Sequence, residues 1–198
     1  TRNSSSFLVR FFAINRSEMR NIVNYADIKQ YDVANGVGVR VSLFVSGCTH
    51  HCKECFNKET WDFNYGKPFT EKEIEQIIEY LKPDYVSGLT LLGGEPMEPS
   101  NQEGLLPLLR KVHECYPQKN VWCYSGYLFD RDIVGDMYEK SEVTRELLSY
   151  IDILVDGEFV AEKKNLKVNF RGSDNQRIID VRKSLETGEV VHWEGEIV

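Results

Sequence analysis

The chain has 198 residues, 41% of them apolar and 28% charged, with a formal net charge of −7. That length suits one domain around a single core, and the composition is ordinary for a globular protein. The acidic surplus argues against a nonspecific nucleic-acid binder or a binder of anionic membranes.

Taken in chain order, Thr1 to Ser6 is polar and expected to fray. The apolar run Phe7 to Ile14 is broken by Arg10 and is too short to span a bilayer. No small-residue cleavage site follows it, so it does not read as a signal peptide. A cytoplasmic protein is expected. Val39 to Val45 reads as a buried strand ending at Gly47. Thr70 starts a helix, with Glu73 completing a capping box. Ile74, Ile77, Ile78 and Leu81 form its apolar face, and Pro83 stops it.

Val86 to Leu92 is predicted as the second strand, closed by Gly93 and Gly94, and Gly104 to Cys115 as the next helix. Asn120 to Tyr124 makes a third strand, Ser141 to Tyr150 a helix, and Ile151 to Val155 a fourth strand running into Asp156 and Gly157. Asn165 to Phe170, Ile178 to Val181 and Glu189 to Trp193 each have the composition of short strands. No linker or repeat divides the chain, so one domain is expected over 1–198, with 166–198 as its C-terminal extension.

Strands alternating with helices argue for parallel βαβ units in an α/β fold. A complete (β/α)8 barrel needs about 250 residues, so the expectation is a partial, open (β/α) barrel or a doubly wound sheet. Either architecture gathers ligands at the carboxyl ends of its strands. The cysteine loop, Gly93-Gly94-Glu95-Pro96, Ser125-Gly126 and Asp156-Gly157-Glu158 all fall at such ends.

Five cysteines is an odd number, and Cys48, Cys52 and Cys55 lie within eight residues. In a reducing compartment such clustering means metal or redox chemistry. Electron-transfer clusters take four cysteines, so three thiolates on a four-iron cluster leave one iron open to a ligand. The rival is a zinc site completed by His50, His51, Cys115 or Cys123. Zinc sites usually pair two knuckles, and this chain offers one. Cys115 and Cys123 are expected as small buried hydrophobes, and His113 and His192 as bystanders.

In Gly93-Gly94-Glu95-Pro96, two glycines let the backbone approach a ligand closely. Glu95 supplies a carboxylate able to grip an amino group. This turn and the cysteine loop are expected to act separately, so that a bulky side chain at Gly94 would spare the loop.

The C-x3-C-x2-C loop after the first strand and the Gly-Gly-Glu-Pro turn after the second resemble the radical S-adenosylmethionine superfamily, over roughly Val37 to Glu158. Within it, Gly47 to Asn57 is similar to the activating proteins of anaerobic, class III ribonucleotide reductases. Tyr124 to Tyr127 and Phe170 to Asp180 resemble the same group. Asn35-Gly36-Val37-Gly38 stands where those proteins often carry a Gly-Pro-Gly turn.

The resemblance implies the partial, open barrel and a [4Fe–4S] cluster on Cys48, Cys52 and Cys55. It also implies S-adenosylmethionine bound at the open iron. Glu54 and Phe56 would contact its adenosine half, while Gly93, Gly94 and Glu95 would hold its methionine half. Ser125 and Asp156 would line the same pocket. The implied activity is reductive cleavage of S-adenosylmethionine to a 5′-deoxyadenosyl radical that installs a glycyl radical on anaerobic ribonucleoside-triphosphate reductase. A low-potential donor such as flavodoxin would supply the electron, with no nucleic acid or membrane involved. The alternatives are activation of another glycyl-radical enzyme, such as pyruvate formate-lyase, or a non-catalytic zinc-stabilised interaction domain.

Overall fold

The computed structural model describes residues 23–195, so the expectations for Thr1 to Ser6 and Phe7 to Ile14 lie outside the described residues. The strands are β1 (Asn24–Asp32), β2 (Val39–Val45), β3 (Lys67–Pro68), β4 (Val86–Gly93), β5 (Asn120–Tyr124), β6 (Ile153–Asp156) and β7 (Arg177–Asp180). Between and after them come helices α1 (Glu71–Leu81), α2 (Pro99–Cys115), α3 (Glu142–Tyr150) and α4 (Val181–Thr187), with a π-helical segment at Phe129–Tyr138.

The strands make one seven-stranded sheet in the order β3-β1-β2-β4-β5-β6-β7. The central four, β2, β4, β5 and β6, run parallel. Both flanks are antiparallel, β1 on β2 and β7 on β6. Parallel strands are covered on both faces, and their sequences accordingly read as near-continuous buried runs. Six of the seven residues of β2 are buried.

Alternation along each strand divides the sheet into two faces. Val41, Leu43, Val45, Leu89, Leu91, Val121, Cys123 and Leu154 share one apolar core with residues of α1, α2 and α3. All three helices thus pack into one cluster, whereas a doubly wound sheet sets helices on both faces. The opposite face holds a smaller aromatic cluster, with Trp122, Ile153 and Val155 packed by Val37, Tyr124, Phe170, Ile178 and Trp193.

That second face also buries Arg40. Its guanidinium donates to Thr90 Oγ1 (2.6 Å), Leu89 O (2.7 Å), Asn120 Oδ1 (2.8 Å), Asn120 O (3.1 Å) and Val37 O (3.2 Å). Burial lowers its pKa to about 10, partly offset by Tyr124, Asp152 and Asp32. Arg40 therefore ties β2 to β4, β5 and the turn that precedes β2.

Thr70 and Glu73 form the capping box, Glu73 Oε2 accepting from Thr70 N at 2.9 Å. Helix α2 begins five residues before the predicted start, because its first turn buries polar Asn101 and Gln102 rather than apolar residues. Cys115 is exposed at the end of α2, correcting the expectation of burial, while Cys123 is buried on β5. Residues Asn165–Phe170 and Glu189–Trp193 are not strands; the latter contributes only an isolated bridge from His192 to Ile179. The alternation in Asn165–Phe170 has another cause, because Leu166, Val168 and Phe170 all line a cavity.

Candidate functional site

The carboxyl ends of β2, β4, β5 and β6 surround a cavity of about 400 Å³. Cys48, Cys52 and Cys55 line it together with Phe56, Gly93, Gly94, Glu95 and Ser125. Of the residues expected there, Glu54 and Asp156 are absent from the lining. Glu54 is exposed and takes a left-handed backbone, φ 61°. Asp156 is buried and turned to Arg177 (Nε to Oδ1, 2.9 Å) and to the backbone N–H of Phe129 (2.8 Å). Its neighbour Gly157 lines the cavity instead.

Left-handed residues at His51 (φ 52°) and Glu54 bracket Cys52 and curl the loop so that its three thiols share one space. Loop and β4 turn are one backbone network. Gly47 N donates to Thr60 O (2.7 Å), Gly94 N to Val45 O (2.7 Å) and Glu95 N to Gly47 O (2.9 Å). The buried Asn101 amide donates to Ser46 O (3.1 Å), Gly47 O (3.3 Å) and Glu95 O (2.9 Å). Glu98, just before α2, accepts from Thr49 N at 2.9 Å and from the Thr49 hydroxyl.

The two glycines serve distinct needs. Gly93 has φ 107°, where a side chain is strained. At Gly94, a Cβ would lie 2.7 Å from Gly47 O and 2.9 Å from Thr60 O. The expected separation of turn and loop is therefore overturned, because Gly94 packs directly on the backbone that carries Cys48.

Glu95 is buried, and its carboxylate faces three groups of the protein itself. Met97 N donates to Oε1 at 2.8 Å and Gly126 N to Oε2 at 2.7 Å. His50 Nε2 lies 3.1 Å from Oε2, within ion-pair reach though not aligned as a hydrogen bond. His50 Nδ1 meets Glu158 Oε1 at 3.0 Å, and the ring packs edge-on against Tyr127 at 4.4 Å. Burial alone would lower the His50 pKa, but Glu95 and Glu158 outweigh it and hold it up to about 9. A protonated His50 thus links the cysteine loop to the ends of β4 and β6 and to the turn after β5. His51 stacks on Trp61, ring centres 4.6 Å apart. His50, Glu98 and Asn101 escaped the sequence reading as positioning residues, since single side chains carry no spacing signal.

Burial pushes the Cys48 thiol up to about 11 and raises that of Cys52 as well. These are costly thiolates unless a metal takes them, since metal binding displaces the thiol proton. Three thiols on one cavity match the donor set of an iron–sulfur cluster. The donor set fits a multi-iron cluster.

Residues 34–179 match the 4Fe-4S single cluster domain family. The anaerobic ribonucleoside-triphosphate reductase-activating protein of Pasteurella multocida is 43% identical over 159 residues, covering 79% of this chain and 96% of the relative. The protein of that name from Enterobacteria phage T4 is 39% identical over 158 residues, covering 79% and 93%. The one from Escherichia coli K12 is 36% identical over 162 residues, covering 81% and 100%. The chain thus belongs to the 4Fe-4S single cluster domain family and to the anaerobic ribonucleoside-triphosphate reductase-activating proteins.

Proposed function

We propose that this chain is a radical S-adenosylmethionine activase that generates a glycyl radical on anaerobic ribonucleoside-triphosphate reductase. The observation that carries it is the convergence of Cys48, Cys52, Cys55, Gly93, Gly94 and Ser125 on one cavity, in a chain of this family. Under this reading the sheet and its helices are a partial, open (β/α) barrel, a single domain spanning 1–198.

Cys48, Cys52 and Cys55 would hold a [4Fe–4S] cluster. When bound, the cluster and S-adenosylmethionine supply one-electron reductive cleavage of the sulfonium to a 5′-deoxyadenosyl radical. The protein's part is to bind, orient and exclude water. Phe56 at the cavity edge offers an apolar surface for the adenosine half. Gly93 and Gly94 offer backbone carbonyls to the methionine half. Glu95, with two of about four acceptor directions taken by the backbone N–H groups of Met97 and Gly126 and His50 beside it, holds the turn in shape and keeps acceptor capacity for an ammonium. Ser125 Oγ accepts from Tyr127 N at 3.1 Å, fixing the neighbouring rim.

Asp156 acts from outside the cavity by anchoring the end of β6 that presents Gly157. A low-potential donor such as flavodoxin would deliver the electron, in the cytoplasm. Among the described residues no helix is long and apolar enough to cross a membrane.

The test is to reconstitute the protein with iron and sulfide, reduce it, and add S-adenosylmethionine and the cognate reductase anaerobically. A doublet glycyl-radical resonance should arise on the reductase, with S-adenosylmethionine consumed in proportion. Cofactor cleavage with the radical appearing on pyruvate formate-lyase instead would overturn the partner. A fully loaded protein that never cleaves the cofactor would overturn the reading itself.

A further inference from the structure

We infer that Lys163 to Arg171 is a docking strap for an acidic, extended segment of the partner polypeptide, received at the mouth of the cavity. This rests on the reading that the substrate is a protein. The segment carries Lys163, Lys164, Lys167 and Arg171 and no carboxylate, in a chain whose net charge is −7. Elsewhere some lysines pair with a carboxylate, Lys53 with Glu162, Lys111 with Glu71, Lys140 with Asp136 and Lys183 with Asp180, while Lys29, Lys58, Lys67 and Lys72 stand singly along the chain, so what sets the strap apart is its clustering. Among the described residues, the ammonium groups of Lys163, Lys164 and Lys167 have no such partner. Clustered like charges repel, and a run of them without counter-charges is a common sign of an interaction segment.

Two further features point the strap at a ligand. Leu166, between the lysines, is 88% exposed, and Phe56 on the cysteine loop is 83% exposed. Both line the cavity, so its mouth is apolar beside the strap. Arg171 also lines it, and its Nε is buried without an acceptor, although Nη1 donates to Gln176 O at 3.0 Å. A buried donor left unpaired costs free energy that an incoming acceptor would recover.

The strap is held at its ends, where Asp174 N donates to Lys163 O (3.0 Å) and Asn165 N to Gly172 O (3.2 Å). Its tip, Leu166, Lys167 and Asn169, is exposed. A nucleic acid would meet the anionic remainder of the molecule, whereas a short acidic stretch flanking an apolar one needs only the strap. Carboxylates on the lysines and an apolar side chain on Leu166 and Phe56 would steer that segment towards the cavity.

The test compares the wild-type protein with a Lys163→Glu/Lys164→Glu/Lys167→Glu variant, both loaded with iron and sulfide. Association with the cognate reductase is measured by surface plasmon resonance at about 50 and about 300 mM salt, conditions that bracket strong and weak screening. The wild type should bind at least about tenfold more weakly at high salt, and the variant at least about tenfold more weakly already at low salt, with little further salt effect. Iron content and reductase-independent cleavage of S-adenosylmethionine should match the wild type, because none of the three lysines lines the cavity.

Equal binding of both proteins at both salts, with normal radical yield on the reductase, overturns the strap and leaves the activase reading intact. Tighter binding of a single-stranded DNA oligonucleotide than of the reductase also overturns it. A wild-type protein that cleaves the cofactor yet neither binds nor activates the reductase removes the protein-substrate reading, and the strap with it.

Discussion

The two faces of the sheet are built from the same strands by opposite chemistry. Towards α1, α2 and α3, the strands present Val41, Leu43, Val45, Leu89, Leu91, Val121, Cys123 and Leu154 to a continuous apolar core. On the other face the alternate positions are Arg40, Ser42, Thr90, Trp122 and Tyr124. The first face is held by area removed from water, which tolerates substitutions of similar volume. The second is held by directed bonds from Arg40 and by aromatic edges, Trp122 meeting Phe170 at 5.4 Å and Trp193 at 5.3 Å. The difference teaches where a ligand space can exist. A uniformly apolar face closes up on itself, while a polar, hydrogen-bonded face keeps a fixed shape and opens, at its carboxyl end, into the cavity.

The largest effect is expected at that opening. Cys52→Ala should abolish cluster loading while leaving the fold, because Cys52 sits in the loop and outside both core clusters. Iron content after anaerobic reconstitution and thermal unfolding of the metal-free protein measure the two separately. Full iron in the variant would break the assignment, and loading unchanged in Cys115→Ala and Cys123→Ala completes it.

Gly94→Val comes next. Its Cβ would collide with backbone at Gly47 and Thr60 rather than with flexible side chains. Overpacking of this kind costs about 1–3 kcal/mol, and the shift passes straight to the cysteine loop. Both the melting temperature and the iron content should fall. A variant that loads iron normally but fails to bind S-adenosylmethionine would restore the separation that the backbone contacts deny.

A paired test addresses the two faces directly. Leu91→Ala on the apolar face should cost about 2–5 kcal/mol through lost transfer energy and a cavity. Arg40→Met removes little volume, yet it leaves the buried Thr90 hydroxyl and the buried Leu89 carbonyl without this donor. Each stranded group costs about 1–3 kcal/mol, so denaturant unfolding should show losses of similar size at both sites. An Arg40→Met protein as stable as the wild type would mean that the polar face is merely tolerated.

The faces also differ in how far the sequence announced them. The apolar one was legible, because β2, β4 and β5 carry apolar residues at every second position and α1 and α3 carry them with helical periodicity. Strand β1 escaped because Asn24–Asp32 lies outside the parallel centre and is mostly polar, with only its last residue buried. The π-helical segment at Phe129–Tyr138 has no 3.6-residue period to detect. The cysteines and glycines of the site were legible from spacing. The groups that hold them, His50, Glu98 and Asn101, act through contacts that only the folded chain creates.

The smallest effect concerns the pair that closes the polar face at its edge. Arg177 on β7 reaches both Asp156 and Asp130, with Nη2 2.7 Å from Asp130 Oδ1. The Arg177 hydrogen bond, opposed by burial, holds the Asp130 carboxyl below its usual range. A depressed folded-state pKa stabilises above the ordinary carboxylate value, and that contribution fades as the pH falls through the depressed one. Asp130→Asn should therefore lower stability slightly at neutral pH and converge with the wild type in acid. Asp130 is more than half exposed, so solvent screening keeps the difference within about 1 kcal/mol, a shift of roughly 2–4 °C at most for a chain of this size. Melting curves of the two proteins across the acid range measure it. A gap that widens towards low pH would place the dominant Arg177 contact elsewhere.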